Sequence, residues 1–303
     1  MNPSDYTSIS LFGLEMNPPR SLDIFGLSIH FYGIIIACGL MLAVIYGCKR
    51  CSQFGFSADD LTDGVLCIVP FAILCARLYY CVFDWASYKD HPISILYIWN
   101  GGLAIYGGVI GAVIGILVFA RVKKLKVGAV LDLVALGFLI GQAMGRWGNF
   151  FNREAFGAAT DSFLKMGLFN KFTQSWEYYH PTFLYESLWN VVGFAGLHFL
   201  SKKRQYDGQI ALGYAAWYGL GRTFIEGLRV DSLYWGDFRV SQVLAAVSCF
   251  AAAAVLVYMA FRQHDPARLQ VNLTAARKAQ QEAAGQEKAP GMEPLFPEEK
   301  ENQ

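Results

Sequence analysis

Seven runs of roughly twenty residues, each almost free of charge, divide this chain: near 28–48, 64–83, 102–120, 128–147, 182–200, 209–227 and 239–261. An α-helix needs about 20 apolar residues to cross a hydrocarbon core of ~30 Å, and lipid offers the backbone no hydrogen-bond partner outside a helix or a closed barrel. The runs therefore predict an all-α, polytopic membrane protein with about seven transmembrane helices. Composition points the same way: 54% of residues are hydrophobic and only 16% charged, which is rare for a soluble domain of this size. The sixth run is the least uniform and carries several polar side chains.

Basic residues set the orientation. Lys49 and Arg50 follow the first run, and Arg121, Lys123, Lys124 and Lys126 lie between the third and fourth. Lys202, Lys203 and Arg204 follow the fifth, and Arg262 and Arg268 follow the seventh. Alternating spans place all of them on one side, which the positive-inside rule makes cytoplasmic. The amino terminus is then outside and the carboxyl terminus inside. The expected organisation is an extracytoplasmic segment at 1–27, a transmembrane catalytic domain at 28–262 and a polar cytoplasmic tail at 263–303. A small extracytoplasmic cap falls at about 148–181. The start, MNPSDYTSISLFGLEMNPPR, lacks the basic region of a secretory signal and is too polar to insert. The tail reads as a soluble, partly helical or disordered extension.

Several function classes are excluded. A net charge of +1 and the lack of interleaved basic and aromatic residues argue against nucleic acid. Most of the seven cysteines lie in apolar runs, where a thiol acts as a small hydrophobe, and Cys48 and Cys51 form a C-x-x-C with no second ligand pair. The IIAC of Ile35 to Cys38 imitates a lipoprotein cleavage box, but it sits inside a long apolar run with no basic flank before it. With no H-E-x-x-H, Walker loop or G-x-S-x-G, no metal or other cofactor is expected, and serine acyl transfer is disfavoured. The lack of an internal repeat weakens an inverted-repeat transporter.

The informative residues are the polar ones inside the runs, because a charge at mid-membrane costs roughly 2.5–3.5 kcal/mol. The fourth run ends in GRWGNFFNRE, Gly145 to Glu154. Arg77 lies in the outer half of the second span, Arg146 and Asn149 close the fourth, and Glu186 and Asn190 open the fifth. Tyr218, Arg222 and Glu226 occupy the outer half of the sixth, with Tyr32 and Tyr106 near the outer ends of the first and third. Six spans thus bring polar groups to one depth, and nothing comparable gathers at the inner surface, where Asp63 and Asp132 stand alone. Tyr218, Arg222 and Glu226 are four apart and share a helix face, as do Arg146 with Asn149 and Glu186 with Asn190.

Each residue also has a plain structural reading. Arg222 and Glu226 could form a packing ion pair, Arg146 could snorkel to headgroups and Glu186 could cap its helix. Tyr32 could belong to an aromatic belt, and Arg77 could pair with Asp84 or Glu186. Gly107, Gly111 and Gly115 give the third span a face without side chains, for helix packing or for a lipid chain or peptide. Taken together, arginines and asparagines open to the outer leaflet suit an anionic headgroup, and a phospholipid phosphate is the first choice.

GRWGNFFNRE resembles the signature G-R-x-G-N-F-x-N-x-E of the prolipoprotein diacylglyceryl transferases. NGGLAIYGGVIGA, HPTFLYES, FYGIII, ARLYY and YGLGRTFIEGLR are similar to that family's segments in the same order, from about Leu27 to Ala260. The resemblance implies a multi-pass enzyme of the bacterial cytoplasmic membrane with its active site toward the outer leaflet. It implies transfer of the diacylglyceryl group of phosphatidylglycerol to the lipobox cysteine of a prolipoprotein signal peptide, releasing glycerol 1-phosphate. It places the essential arginines on Arg146 and Arg222, the motif residues on Asn149, Glu154 and Gly157, and further site residues on Tyr218, Glu226 and Tyr32. Arg77 and Glu186 join the phosphatidylglycerol-binding set. Where some members carry a histidine, this chain has Tyr106, so the thiol's base is sought among Tyr106, Tyr218, Glu154 and Glu226, with His180 as a further candidate. A lipid transporter and a lipid-binding scaffold are the rival classes; release of glycerol phosphate separates the enzyme from both.

Overall fold

The computed structural model describes residues 3–24, 27–98, 101–230, 234–236 and 238–287. Helices dominate: α1 (Phe31–Arg50), α2 (Ala58–Phe83), the single turn α3 (Trp85–Tyr88), α4 (Ile105–Val122), α5 (Val127–Asn152), α6 (Thr182–Ser201), α7 (Gln209–Leu228), α8 (Val240–Ala260) and α9 (Gln270–Glu287). Five of them, α1, α2, α4, α5 and α8, are long and apolar enough to cross a membrane. Their exposed side chains include Leu74, Val109, Leu244 and Phe250, the apolar exterior that lipid rather than water stabilises. The chain is a mostly helical, polytopic membrane protein. α6 and α7 match the fifth and sixth runs but carry the buried polar residues Glu186, Asn190 and Glu226.

α5 is the most enclosed of the apolar helices and packs on α1, α6 and α7, while α2 packs on α4 and α7 on α8. The glycine face of α4 serves the α2 contact. A Cβ at Gly107 would lie 2.5 Å from the Cys75 carbonyl oxygen, and one at Gly111 2.7 Å from the Cys75 Cβ. That face is filled by α2 and leaves no room for a lipid chain or peptide.

The all-α expectation needs correction at one end of the bundle. There β1 (Tyr6–Leu11) and β2 (Leu14–Met16) are followed by a hairpin, β3 (Ser21–Ile24) and β4 (Leu27–His30), that leads into α1. β5 (Met166–Asn170) and β6 (Ser175–Tyr179) come from the loop between α5 and α6, and β7 (Tyr234–Trp235) pairs with β8 (Phe238–Arg239) before α8. An antiparallel sheet of order β2-β1-β5-β6 results. Residues 6–16 therefore supply two of the four strands of this sheet, and residues 166–179 supply the other two. Its strands come from segments far apart in sequence, so no local periodicity announces them. Tyr6, Ile9, Leu11, Met166 and Leu168 are buried with Phe150 and Phe183 from the ends of α5 and α6. Each of the larger side chains contributes roughly 1.5–3 kcal/mol by leaving water. This cluster fixes the ends of α5 and α6, where the site lies. Arg153, in the left-handed region at φ 56°, reverses the chain after α5. It donates to the carbonyls of Thr7 and Pro18 and to Asn17 Oδ1 at 2.7–2.9 Å, tying the amino-terminal strands to the cap.

The other end is not apolar either, which corrects the expectation that polar groups gather on one side only. Asp132, fully buried, accepts three backbone N–H bonds at 2.9 Å, from Gly208, Ile210 and Ala211 at the start of α7. Arg50 donates to Ser201 Oγ at 2.7 Å, and Asp207 sits within ion-pair reach of Lys126 and Arg204. These are helix-end connections, formed because each buried terminus leaves backbone groups that need partners. The tail is likewise no free extension where it begins. Gln270 Oε1 accepts from the Lys126 backbone, Gln270 N donates to Asp207 Oδ2, and Thr274 Oγ1 donates to the Gly55 carbonyl. α9 is exposed from Ala275 to Ala283, and residues 288–303 lie outside the described part.

Candidate active site

Two arginines on separate helices meet at one carboxylate. Arg146 Nη2, near the end of α5, lies 2.7 Å from Glu186 Oε1, and Arg222 Nη1, on α7, lies 3.2 Å from Glu186 Oε2. Arg222 turns its other terminal nitrogen to Glu226 Oε2 at 2.6 Å, one helical turn along. Tyr218 OH donates to Glu186 Oε1 at 3.4 Å. The carboxylates are 4% and 2% exposed, whereas Arg146 and Arg222 keep 22% and 17%. The acids are sealed in and the guanidinium groups remain reachable, which suits an anion arriving from outside the cluster.

The signature segment builds the second arm. Arg146 Nη1 donates to Asn149 Oδ1 at 3.4 Å, and Asn149 Nδ2 donates to Glu154 Oε1 at 3.1 Å. Asn152 Nδ2 reaches the same oxygen at 3.0 Å. Gly148 lies between these polar residues because the Tyr32 ring rests on it: a Cβ there would stand 2.4 Å from Tyr32 Cδ2. Gly157 donates its N–H to the His180 carbonyl at 2.9 Å, and a Cβ on it would meet the His180 Cβ at 2.7 Å. It thereby clamps the cap to the chain entering α6, where Thr182 Oγ1 bonds the Ala155 carbonyl.

Below the arginines, two tryptophans lock α6 to α7. The Trp189 and Trp217 rings stack at 4.3 Å, and each indole N–H donates to the other's backbone carbonyl at 2.9 Å. Gly193 and Gly221 supply the close approach this requires, since a Cβ on either would lie within 2.3 Å of an indole atom. Glu186 is thereby held facing Arg222.

The structure thus gathers Arg146, Asn149, Glu154, Glu186, Tyr218, Arg222 and Glu226, with Tyr32 and Gly157 packed beside them. Two expected members stand apart. Arg77 is buried, but it spends its guanidinium on the carbonyls of Ser94, Ile95, Gly101 and Gly102 at 2.7–3.0 Å. It pairs with neither Asp84 nor Glu186, because the loop before α4 has carbonyls to satisfy and no acid in reach. Tyr106 is 47% exposed, lies beside the Tyr79 ring and makes no hydrogen bond to a described residue.

The sequence reading passed over Arg239 and Ser241. Arg239 Nη1 donates to the Glu226 carbonyl and Ser241 Oγ to Glu226 Oε1, both at 2.5 Å. The polar opening of the seventh run, FRVSQ, was the available signal. Among the described residues, no three His, Cys, Asp or Glu side chains gather as metal ligands would.

Residues 19–258 match the family model described as prolipoprotein diacylglyceryl transferase. A phosphatidylglycerol–prolipoprotein diacylglyceryl transferase of Listeria monocytogenes serotype 4b is 40% identical over 260 residues, spanning 84% of this chain and 94% of the relative. The proteins of that name from Bacillus licheniformis and Clostridium novyi are 42% and 47% identical, over 85% and 76% of this chain and 98% and 91% of their own lengths. With a family model over most of its length and relatives this similar, the chain is a transferase belonging to the prolipoprotein diacylglyceryl transferase family.

Proposed function

We propose that this chain performs its family's transfer at the arginine cluster, moving the diacylglyceryl group of phosphatidylglycerol to the lipobox cysteine of a prolipoprotein. In this reading α6 and α7 complete seven spans. The amino terminus and cap face outward, the basic loops face the cytoplasm, and the site opens to the outer leaflet of a bacterial cytoplasmic membrane. The observation that carries the reading is the meeting of Arg146 and Arg222, from different helices, at Glu186.

The bond that breaks joins the glycerol carbon to the phosphate ester oxygen, so negative charge grows on that oxygen as the cysteine sulfur attacks. Two guanidinium groups fit a phosphate through paired N–H donors and keep their charge at every relevant pH. Little water competes at such a site, so fixed donors stabilise the developing anion strongly. Asn149 and Glu154 orient Arg146, Glu226 orients Arg222, and Tyr32 lines the approach beside Gly148.

The test is thioether formation on a lipobox peptide, with release of glycerol 1-phosphate, by Arg146→Ala and Arg222→Ala proteins in phosphatidylglycerol vesicles. Each loses on the order of a hundredfold or more in rate. Full activity in both overturns the reading, and lipid movement without glycerol phosphate release identifies a transporter.

A further inference from the structure

Beneath the arginines lies a second polar layer that the transfer as described above does not use. Gln142 stands four residues before Arg146 on α5, Tyr214 four before Tyr218 on α7, and Asn190 four after Glu186 on α6. α5 and α7 run toward the cap and α6 away from it. Each of the three side chains is therefore about 6 Å, one helical turn, farther from the cap than its partner in the cluster.

The layer spans three helices. Gln142 Nε2 donates to Tyr214 OH at 2.8 Å, joining α5 to α7, and the Tyr214 ring stacks on that of Tyr218 at 5.7 Å. On α6, Ser187 Oγ donates to the Ala143 carbonyl of α5, while Gly193 abuts Trp217 of α7. Asn190 lies between those two directions on the helix, so it faces the seam of α5 and α7, as Glu186 does.

Asn190 is fully buried, yet among the described residues neither end of its amide has a hydrogen-bond partner. The buried Gln142 Oε1 has none either. Turning that amide over keeps one end on Tyr214 and leaves the other open. Tyr214 accepts from Gln142, and its own O–H donates to no described residue. A buried polar group left unmet costs about 1–3 kcal/mol, so leucine would suit this seam better than asparagine if packing were its only task.

Resting on the reading above, we propose that this layer receives the glycerol headgroup of phosphatidylglycerol, whose hydroxyls pair with Asn190, Gln142 and Tyr214 while the phosphate lies on Arg146 and Arg222. The acyl chains belong in lipid, so the part of the molecule that turns inward from the phosphate is the head. A hydroxyl both donates and accepts, and the layer offers both kinds of partner. Asn190 Oδ1 and Gln142 Oε1 accept; Asn190 Nδ2 and the Tyr214 O–H donate. A choline head has no hydrogen to give. An ammonium head cannot accept, and it would stand beside two guanidinium groups whose acids, Glu186 and Glu226, are paired with them. The layer touches no bond that breaks. It sets which anionic lipid is held for attack, because buried groups met only by the right hydroxyl reject an analogue that lacks it.

The test uses the full chain in phosphatidylcholine nanodiscs containing either phosphatidylglycerol or phosphatidylpropanol, which has the same charge and chains but no headgroup hydroxyl. Thioether formation on a lipobox peptide gives kcat/KM for each lipid. The wild-type protein uses phosphatidylpropanol about a hundredfold less well. Asn190→Leu brings the two lipids within about threefold of each other, by losing rate on phosphatidylglycerol alone. Its lipid-free melting temperature equals or exceeds that of the wild type, since no hydrogen bond within the protein is lost. Gln142→Met narrows the discrimination about tenfold. Equal use of both lipids by the wild-type protein overturns the proposal and leaves the layer a holder of water only. Undiminished discrimination in Asn190→Leu overturns it too, as does an equal loss on both lipids with a lowered melting temperature, which makes Asn190 a packing residue. Should Asn190→Leu fail to fold, the wild-type protein and Gln142→Met decide. Failure of the wild-type protein to form any thioether from phosphatidylglycerol refutes the parent reading instead, and the two failures are distinct.

Discussion

Glu186 and Asp132 are both buried carboxylates, one at each end of the helix bundle, yet they are satisfied in opposite ways. Asp132 takes backbone N–H groups at the start of α7, donors fixed by the fold that nothing can remove without unwinding a helix. Glu186 takes two long side chains, from α5 and α7, whose positions rest on rotamers and not on the backbone. The first arrangement is permanent and anchors α7 against α5, since a carboxylate beside a helix N-terminus also meets the positive end of its dipole. The second rests on side-chain rotamers. A buried acid is therefore read not from its burial but from whether backbone or side chains satisfy it.

The largest effect expected from this contrast is on folding. Asp132→Ala leaves three N–H groups at the start of α7 without an acceptor, that of Ile210 buried, and lowers stability by about 3 kcal/mol. Thermal unfolding in detergent measures it, and the rate per folded molecule stays close to wild type. Unchanged stability would erase the distinction between the two acids. Next comes Arg222→Lys, which keeps the charge but loses the fork that spans Glu186 and Glu226. The transfer rate falls roughly tenfold to a hundredfold with little change in melting temperature. Gly148→Ala pushes the Tyr32 ring away from the Arg146 arm and slows transfer about tenfold; the double change with Tyr32→Ala is no slower than Tyr32→Ala alone.

At the far end, Gln270→Ala removes the acceptor for the Lys126 N–H and lowers stability by about 1 kcal/mol, leaving the rate intact. The smallest effect is in the cap, where Glu177 accepts from Tyr179, Tyr6 and Asn170. Those hydrogen bonds, the Tyr179 one foremost, hold its carboxyl below the usual carboxylate range. A lowered folded-state value means the contribution is present above the unfolded value and is lost as pH falls through the folded one. Amide exchange across residues 166–179 accordingly quickens in acid, ahead of exchange in α5; equal response of both would deny the cap this weak point.

The helices and most of the cluster were legible because both are periodic. A run of twenty apolar residues has one physical reading, and Tyr218, Arg222 and Glu226 at intervals of four share a face whatever packs against it. What escaped was settled by partners distant in sequence. The pairing of β1 with β5 joins segments with five helices between them. Asp132 finds backbone donors that no sequence displays. Arg153 sits in the same signature segment as Arg146, but the reversal of the chain after α5 sends it to the strands instead of the site. Arg77 looked like a member of the cluster by depth alone, and the carbonyls of a neighbouring loop claimed it.

The β1–β5 pairing also bears on how the protein is made. Residues 6–11 emerge early, while their partners at 166–170 follow only after α1 to α5 have been synthesised. About 150 residues at roughly 5–20 per second is an interval on the order of ten seconds. Until it ends, β1 has only β2 beside it and an unpaired edge where β5 will lie. The sheet is therefore completed only after α1 to α5 have been made, and α6 and α7, which carry Glu186 and Arg222, follow it in the chain.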